Sequence, residues 1–364
     1  MSDKYSIDSQ KLHYHPTRIS QWYEAKDDWN RLKSVYPVFI EISPIGGCNH
    51  RCTFCAMDYM GYRNIKWDEK VLADRLTEMS KLGVKSINFA GEGEPLLYKP
   101  LARIVEHSSN VGLDTSITSN FVPTNKESIS TFVKNCSWIK ISFNAGTANT
   151  YAQIHQTSEK DFDIAVENMR YAVEVKKETG SKCTLGAQML LLPENRHEAV
   201  TLAKMCQEIG IDYLVIKPYS QHLSSETTIY KDIVYDDMLS LEDELEALNT
   251  EKFNVVFRSN TMKKHSAKTH TYKKCLSTPF FWAYVSTEGD VYGCSAYLGK
   301  ENFRYGNLNE NGFQEIWESE KRQKSYRFVQ DELDISECRT NCRMDEVNKY
   351  LDRLIHPNDH DNFI

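Results

Sequence analysis

Between residues 38 and 217 the chain alternates short apolar runs with longer amphipathic stretches. The runs are typical of buried strands, and the stretches between them carry apolar residues at helical spacing. The predicted strands are Val38–Ser43, Ser86–Ala90, Thr115–Thr118, Trp138–Phe143, Lys182–Leu191 and Tyr213–Lys217. The predicted helices are Asp68–Leu82, Leu101–Val111, Asn125–Cys136, Asp161–Thr179 and Arg196–Ile209. Such alternation indicates βαβ units, so the fold class is α/β and six units predict a partial (β/α)6 TIM-like barrel.

The pattern changes on both sides of this repeat. Polar and aromatic residues dominate the beginning, where an amphipathic helix is predicted from Ile19 to Val35. After the barrel we expect a helix at Tyr235–Leu248, a strand at Asn254–Arg258 and a basic run at 259–274. That run is interpreted as a solvated linker, with recruitment of an anionic substrate group as the alternative. The predicted domains are 1–37, an N-terminal helical extension; 38–234, the barrel core; 235–274, a connecting helix, strand and linker; and 275–364, a small C-terminal domain of β-hairpin plus helices.

Composition limits the classes of protein that fit. The 364 residues are 40% hydrophobic and 26% charged, an ordinary balance for a globular protein. A net charge of −7 without a long basic block argues against nucleic acid as a partner. We also expect no membrane partner and a cytoplasmic location, because no apolar run has the length of a span and the N-terminus is not a signal peptide. Ten cysteines in a reducing compartment indicate metal or catalysis rather than disulfides.

Three cysteines follow the first predicted strand at the spacing C-x3-C-x2-C: Cys48, Cys52 and Cys55. In barrels of this kind chemistry gathers at the C-terminal ends of the strands, which is where this loop falls. Three thiolates can converge on one metal or cluster, and on a cubane [4Fe–4S] cluster they leave one iron open. An open metal position is typical of a reactive site. A zinc loop or a disulfide pair is the alternative.

This spacing, with Phe54 just before the last cysteine, resembles the radical S-adenosylmethionine (SAM) superfamily. The second strand leads into Gly91-Glu92-Gly93-Glu94-Pro95, which resembles the GGEP motif of that family, although Glu92 stands where the family often has glycine. The resemblance implies a SAM-binding [4Fe–4S] cluster, with Phe54 against the adenine and Glu94 on the SAM amino group. The remaining implied SAM contacts are Gly91, Glu92, Gly93 and the strand-end residues Ser119, Asn120, Ser142 and Gln188.

A second set of four cysteines lies near the C-terminus: Cys275, Cys294, Cys338 and Cys342. Coming from a loop, a hairpin end and a helix start, they can fully ligate one cluster. Spacing alone leaves a four-thiolate zinc site equally open. The pattern resembles the twitch type of the SPASM/twitch auxiliary domain and so implies one auxiliary [4Fe–4S] cluster. The x3 spacing of the last pair departs from that family.

The resemblance implies that SAM is cleaved reductively to a 5′-deoxyadenosyl radical, which abstracts hydrogen from the substrate. An electron donor such as flavodoxin or ferredoxin is also implied. We expect a small-molecule substrate (a sugar, nucleotide sugar, aminoglycoside or similar) oxidised at a carbon–oxygen centre, with the auxiliary cluster as electron sink. Candidate catalytic residues at the sixth strand end are Lys217, Tyr219 and His222, and His222 is best matched to neutral pH as a base.

Three alternatives to this function remain. The first is an epimerase or rearrangement enzyme on a similar substrate, in which a thiol such as Cys183 returns a hydrogen. The second is a peptide maturase, ranked lower because 37 residues before the barrel leave no room for a separate peptide-binding domain. The third is a non-enzymatic metal-binding protein, which would not need the motifs at the strand ends.

Overall fold

One ten-stranded sheet runs through the computed structural model, which describes residues 5, 7, 9–267, 270–339 and 341–363. The strands in chain order are β1 (Phe39–Ile42), β2 (Ser86–Phe89), β3 (Asp114–Ser119), β4 (Trp138–Ser142), β5 (Thr184–Leu191), β6 (Tyr213–Pro218), β7 (Asn254–Phe257), β8 (Trp282–Val285), β9 (Asp290–Tyr292) and β10 (Arg304–Asn307). Their order across the sheet is β10-β9-β8-β1-β2-β3-β4-β5-β6-β7.

The six predicted barrel strands are all present, and each pairs in parallel with the next one along the chain. The α/β partial barrel predicted from the alternating pattern is therefore confirmed. Two further parallel strands extend it. Strand β7 pairs with β6, and β8 of the C-terminal region pairs with β1. The predicted segments 38–234, 235–274 and 275–364 therefore all contribute strands to one continuous sheet.

Thirteen helices lie between and around the strands in the described residues. They are α1 (Pro16–Ala25), α2 (Trp29–Leu32), α3 (Glu69–Lys81), α4 (Leu101–Asn110), α5 (Lys126–Asn135), α6 (Ala148–His155), α7 (Glu159–Thr179), α8 (Ala199–Ile209), α9 (Leu241–Glu246), α10 (Ser259–Ala267), α11 (Phe313–Trp317), α12 (Glu320–Asp331) and α13 (Asp345–Ile355). Local side-chain caps fix several starts, as when Asp68 accepts from the Val71 N–H at α3. Most of the helices between barrel strands lie within a few residues of the predicted ones.

Three flanking segments differ from the expectation. The single helix predicted from Ile19 to Val35 is two helices, α1 and α2, because Lys26 takes a left-handed φ of 51° and Asp28 caps a new start. The acidic stretch after the barrel forms a short 3-10 turn and then α9 rather than one helix. Much of the basic run is the helix α10, while its members Lys268 and Thr269 lie outside the described residues.

The N-terminal helices pack on the C-terminal region. Trp22 and Leu32 share an apolar cluster with Phe280, Phe281 and other residues of that region. Arg322 of α12 lies at the edge of the same contact with no solvent exposure. Its guanidinium donates to the carbonyls of Lys33, Pro279 and Trp317 and stacks 4.1 Å from the Trp317 ring centre. This one side chain therefore joins the two ends of the chain.

We expect Arg322→Ala to lower the free energy of unfolding by about 3 kcal/mol, because it leaves buried carbonyls without a donor and opens a void among aromatic rings. Urea unfolding followed by circular dichroism measures this. Arg327→Ala is the matched control, since Arg327 lies on the same helix and is exposed. Its expected cost is below about 1 kcal/mol. Equal losses in the two variants would contradict the role given to Arg322.

Candidate active site

The three-cysteine loop follows β1 and is anchored by backbone hydrogen bonds to the end of α6. The N–H groups of Arg51 and Thr53 donate to the carbonyls of His155 and Ile154 at 3.1 and 2.9 Å. Burial raises the pKa of Cys48 to about 11, and the Cys55 thiol contributes to the same shift. The pKa of Cys52 is likewise raised by burial first and then by Cys55 and Cys48. The three thiols therefore converge, and as cysteines without disulfide bonds they suit a shared metal cluster.

The glycine–glutamate loop after β2 packs directly against the cysteine loop. The Glu94 N–H donates to the Gly47 carbonyl at 2.9 Å. A Cβ added to Gly93 would lie 2.2 Å from that carbonyl oxygen, so only glycine allows this approach. Gly91 has a φ of 113°, and a Cβ there would lie 2.6 Å from the Ser43 side chain. Gly93 is therefore required by the neighbouring backbone, and Gly91 by its own φ and the Ser43 side chain.

The buried carboxylate of Glu94 holds the end of β3 next to the glycine–glutamate loop and the cysteine loop. It accepts hydrogen bonds from the Ser119 hydroxyl at 2.6 Å and from the N–H groups of Asn120 and Leu96 at 2.8 and 3.0 Å. Burial raises the pKa of Glu94 to about 7, against the lowering effect of these donors. The Asn120 amide in turn donates to Asn49 of the cysteine loop at 2.8 Å. Three predicted site residues are thus brought together beside the cysteines.

Glu92 points elsewhere. Its buried carboxylate accepts hydrogen bonds from the N–H and the hydroxyl of Thr287, at 3.1 and 2.8 Å. Thr287 lies in the turn between β8 and β9, so Glu92 joins the barrel to the C-terminal hairpin. Ser142 and Gln188 are opposite each other in the β4–β5 register, at the same end of the barrel. The carbonyl of Gln188 accepts from the N–H groups of Phe143 and Asn144, both at 3.1 Å.

Two buried histidines beside the cysteine loop were missed by the sequence analysis. His155 Nδ1 lies 3.2 Å from the Cys52 sulfur, and its Nε2 donates to the Phe143 carbonyl at 3.0 Å. Burial lowers the pKa of His155 to about 3. His50 pairs with Asp161 at 3.0 Å. His50 could have been found from its position between two cysteines, whereas nothing in the sequence links His155 to a loop 100 residues away.

The second cysteine set converges in the same way. Burial raises the pKa of Cys342 to about 12, with further contributions from Cys275 and Cys338. The pKa of Cys294 is raised by burial and then by Cys342. Polar groups also reach these sulfurs, since the Met344 N–H donates to Cys342 at 3.4 Å and the Asn348 amide to Cys275 at 3.5 Å. Four thiols with hydrogen-bond donors around them suit a fully ligated cluster.

A cavity of about 540 Å³ extends from the four C-terminal cysteines to Phe54 and Ala56 of the three-cysteine loop. All four C-terminal cysteines line it on one side, and Phe54 lines it from the cysteine loop. Lys217 and Tyr219 of the sixth strand end line it as well, together with Lys140 of β4. The predicted substrate-contact residues Lys217 and Tyr219 therefore line the same cavity as the C-terminal cysteines and Phe54.

His222 does not fit the base that the sequence suggested. It is 2% exposed and is not among the residues that line the cavity. The Ser224 N–H donates to its Nδ1 at 3.1 Å, so Nε2 carries the proton and donates to the Ser295 carbonyl at 3.0 Å. Burial also lowers its pKa. Both ring nitrogens are used by backbone groups, which argues against His222 as a proton acceptor.

The segments that contain the two cysteine sets each match the model of a known protein family. Residues 42–206 match the model of the radical SAM superfamily, and residues 275–343 match that of the iron–sulfur cluster-binding SPASM domain. No helix among the described residues has both the length and the apolar character needed to cross a membrane.

Individual relatives show the same likeness. Over 309 residues the chain is 22% identical to the tungsten-containing aldehyde ferredoxin oxidoreductase cofactor-modifying protein of Pyrococcus furiosus, covering 80% of this chain and 83% of that protein. It is 30% identical over 128 residues to the PqqA peptide cyclase of Bradyrhizobium diazoefficiens, 32% of each chain.

Solved structures share the fold. Streptococcus suis SuiB bound to S-adenosylmethionine superposes with a TM-score of 0.63 at 19% identity, over 80% of this chain and 68% of that one. Native anSMEcpe with bound AdoMet superposes with a TM-score of 0.57 at 16% identity, over 86% of this chain and 89% of that one. At these identities the likeness shows the fold alone.

The packing of the two loops predicts that alanine substitution destabilises the protein more at Gly93 than at Gly47. We expect Gly93→Ala to lower the free energy of unfolding by about 1–3 kcal/mol, because the new methyl group forces the Gly47 carbonyl away. Gly47→Ala is the control, since the nearest atom to a Cβ there is 3.9 Å away. Its cost should stay below about 1 kcal/mol. Urea unfolding compares them, and equal stability of the two variants would contradict this description of the loops.

Proposed function

The chain carries a radical SAM domain followed by a SPASM iron–sulfur domain, and from this we propose that it abstracts a hydrogen atom from a small polar substrate and oxidises a carbon–oxygen centre. Its cofactors are [4Fe–4S] clusters and SAM. The observation that carries the proposal is the cavity that the four C-terminal cysteines line together with Phe54 and Ala56 of the three-cysteine loop, because a substrate there would lie next to the auxiliary set and beside the SAM-binding loop. Its volume of about 540 Å³ lies in the range of small-molecule sites.

In this proposal Cys48, Cys52 and Cys55 hold the SAM-binding cluster, and the four C-terminal cysteines hold the auxiliary one. When bound, these groups and SAM supply a 5′-deoxyadenosyl radical that takes the hydrogen atom and an acceptor for the electron that remains. Glu94 accepts from the SAM ammonium, and Phe54 contacts the adenine. The support for Glu94 is its position at the meeting point of the cysteine loop and two strand ends.

Lys217 is the cavity residue we assign to receive the hydroxyl proton of the substrate. Burial lowers its pKa well below the usual range for lysine, and neighbouring cations lower it further. A lowered pKa favours the neutral amine, which is the form that can accept a proton. The Tyr219 hydroxyl donates to Gln221 at 3.0 Å and is thereby oriented at the wall of the cavity, where it contacts the substrate.

Oxidation is favoured over epimerisation by the positions of the thiols. An epimerase of this kind needs a thiol that returns hydrogen to the substrate. Cys183 is buried just before β5, among the apolar residues that pack on the helices, and is not part of the cavity wall. In the described part of the chain, the cysteines of that wall are the four assigned to the auxiliary cluster.

A peptide substrate is the second candidate, and the relatives favour it. One of them is a PqqA peptide cyclase, and SuiB and anSMEcpe have been solved with a precursor peptide and the Cp18Cys peptide. The Pyrococcus relative, which matches over more of its length, is instead named for the modification of a cofactor. The charged side chains in the wall of the cavity favour the small polar molecule here.

The cysteine assignment predicts the metal content. Protein reconstituted anaerobically should hold about eight irons per chain. Changing Cys48, Cys52 and Cys55 together to Ala should leave about four irons and abolish SAM cleavage, because the remaining four thiols still hold one cluster. Cys136→Ala, which removes a buried thiol from the helix-side core, should keep both clusters. Zinc in place of the second four irons would contradict the auxiliary-cluster assignment.

The reaction type can be tested once a substrate is found by following 5′-deoxyadenosine release. In deuterium oxide we expect a carbonyl product, one 5′-deoxyadenosine per product and no solvent deuterium at the reacting carbon. Lys217→Met should slow product formation by about 10²-fold or more, since it removes the proton acceptor. Deuterium at an inverted carbon without net oxidation would contradict the proposed reaction and support the epimerase.

A further inference from the structure

Side-chain hydrogen-bond donors reach the sulfurs of the four C-terminal cysteines. Asn348 of α13 is 1% exposed, and its Oδ1 accepts from the N–H groups of Leu276 and Ser277, both at 2.8 Å. These two donors fix the orientation of the amide. The atom that lies 3.5 Å from the Cys275 sulfur is therefore the nitrogen Nδ2, which can only donate. A cysteine that ligates a metal is a thiolate, so Asn348 donates to this sulfur.

A tyrosine hydroxyl reaches a second sulfur of the same set. The Tyr297 Oη lies 3.6 Å from the Cys338 sulfur. Its ring stacks on Phe303, with the ring centres 4.3 Å apart and the planes 3° from parallel. As a thiolate ligand Cys338 has no proton to give, so the hydroxyl is the donor. Because the ring is held by Phe303, replacing Tyr297 by phenylalanine removes this donor and keeps the packing.

Arg339 brings a positive charge to the same set. It lies in the loop between Cys338 and Cys342 and lines the cavity with them. Its guanidinium donates to the Ser220 carbonyl at 2.8 Å, just beyond the end of β6. Its Nε is buried and has no hydrogen-bond partner among the described residues. The strongest electrostatic effects on Arg339 come from Cys342 and Arg343, and none of the groups that act on it most strongly is a carboxylate.

Other cations of the cavity wall are matched by carboxylates of the chain. Arg343 donates to Glu41 at 2.6 Å, and Lys264 pairs with Glu346. Burying a guanidinium without a partner is costly, so Arg339 needs an anion beside it. A cluster held by four thiolates is anionic, and the four cysteines next to Arg339 supply that site. The buried Nε of Arg339 is therefore explained by an acceptor in the four-cysteine site.

We propose that Asn348, Tyr297 and Arg339 raise the reduction potential of the auxiliary cluster and so make it an acceptor for the substrate electron. Reduction adds one negative charge to the cluster, and hydrogen bonds to its sulfurs and a nearby cation stabilise the form with more negative charge. The inference rests on the proposed function in giving the cluster this task. The substrate radical loses one electron to the cluster and its hydroxyl proton to Lys217, which leaves a carbonyl group.

A redox titration of the anaerobically reconstituted full chain, followed by electron paramagnetic resonance, tests this proposal. Tyr297→Phe should shift the one-electron equilibrium of the auxiliary cluster toward the oxidised form by about threefold to tenfold, where tenfold is ~59 mV. Asn348→Asp keeps the acceptor for the two backbone N–H groups but loses the donor, and Arg339→Gln loses the charge. Each should shift the equilibrium by about tenfold or more, and Arg339→Lys should restore most of the wild-type potential.

The matched control is Tyr326→Phe, which removes a hydroxyl that donates to Asp27 at 2.7 Å. The SAM-binding cluster, whose signal changes when SAM is added, is the internal reference. Variants are compared only if their circular dichroism and iron content equal those of the wild type, and Tyr297→Phe is the mildest of them.

An unchanged auxiliary potential in Tyr297→Phe and Arg339→Gln would overturn the proposal, as would an equal shift in Tyr326→Phe or in the SAM-binding cluster. Slower turnover with an unchanged potential would also overturn it, and would place these side chains on the substrate. The titration needs neither substrate nor turnover. Shifted potentials together with deuterium at an inverted carbon would therefore contradict the proposed reaction and leave this effect of the three residues standing.

Discussion

The hydrogen bond from the Glu94 N–H to the Gly47 carbonyl is the contact on which the site depends. It joins the loop that carries three cysteines to the loop after β2, at a distance that only Gly93 permits. The side chain of the same glutamate then fixes the end of β3 through Ser119 and Asn120. A buried carboxylate is costly unless several donors reach it, and here three do. One residue thereby sets the mutual positions of two strand ends and the cysteine loop.

The sheet also fixes the C-terminal region, which contains the second cysteine set, relative to the barrel. Because β8 pairs in parallel with β1, the C-terminal hairpin is a continuation of the barrel and not a separately attached module. Glu92 accepts from Thr287 in the hairpin turn, and the Trp67 indole donates to the Ser286 carbonyl at 3.1 Å. The two cysteine sets are therefore held by one hydrogen-bonded framework, which a reaction that uses both on a single substrate would require.

The sequence predicted the barrel strands well because apolar periodicity there is strong and uninterrupted. The prediction of the N-terminal helix was wrong because Lys26 interrupts it with a positive φ. A lysine side chain gives no indication of such a backbone angle. The strand β10 was missed because Arg304–Asn307 is short and mostly polar, and it pairs at the edge of the sheet. Candidate site residues next to a motif could be proposed from the sequence, whereas His155 and the Thr287 partner of Glu92 come from distant segments. Such contacts are a property of the fold, and spacing along the chain carries no sign of them.

The interior of the barrel is polar at positions where a closed barrel has a packed apolar core. In closed barrels branched apolar side chains fill this space, whereas here the inner positions of β1, β2 and β3 carry Glu41, Asn88 and Ser116. These three are linked, since the Ser116 hydroxyl donates to Asn88 at 3.2 Å and the Asn88 amide to Glu41 at 3.4 Å. Across from these positions, Lys140 of β4 and Lys217 of β6 line the cavity. Buried polar groups lower stability unless something pairs with them, so polar and charged side chains at inner positions indicate an interior that is not packed as an apolar core.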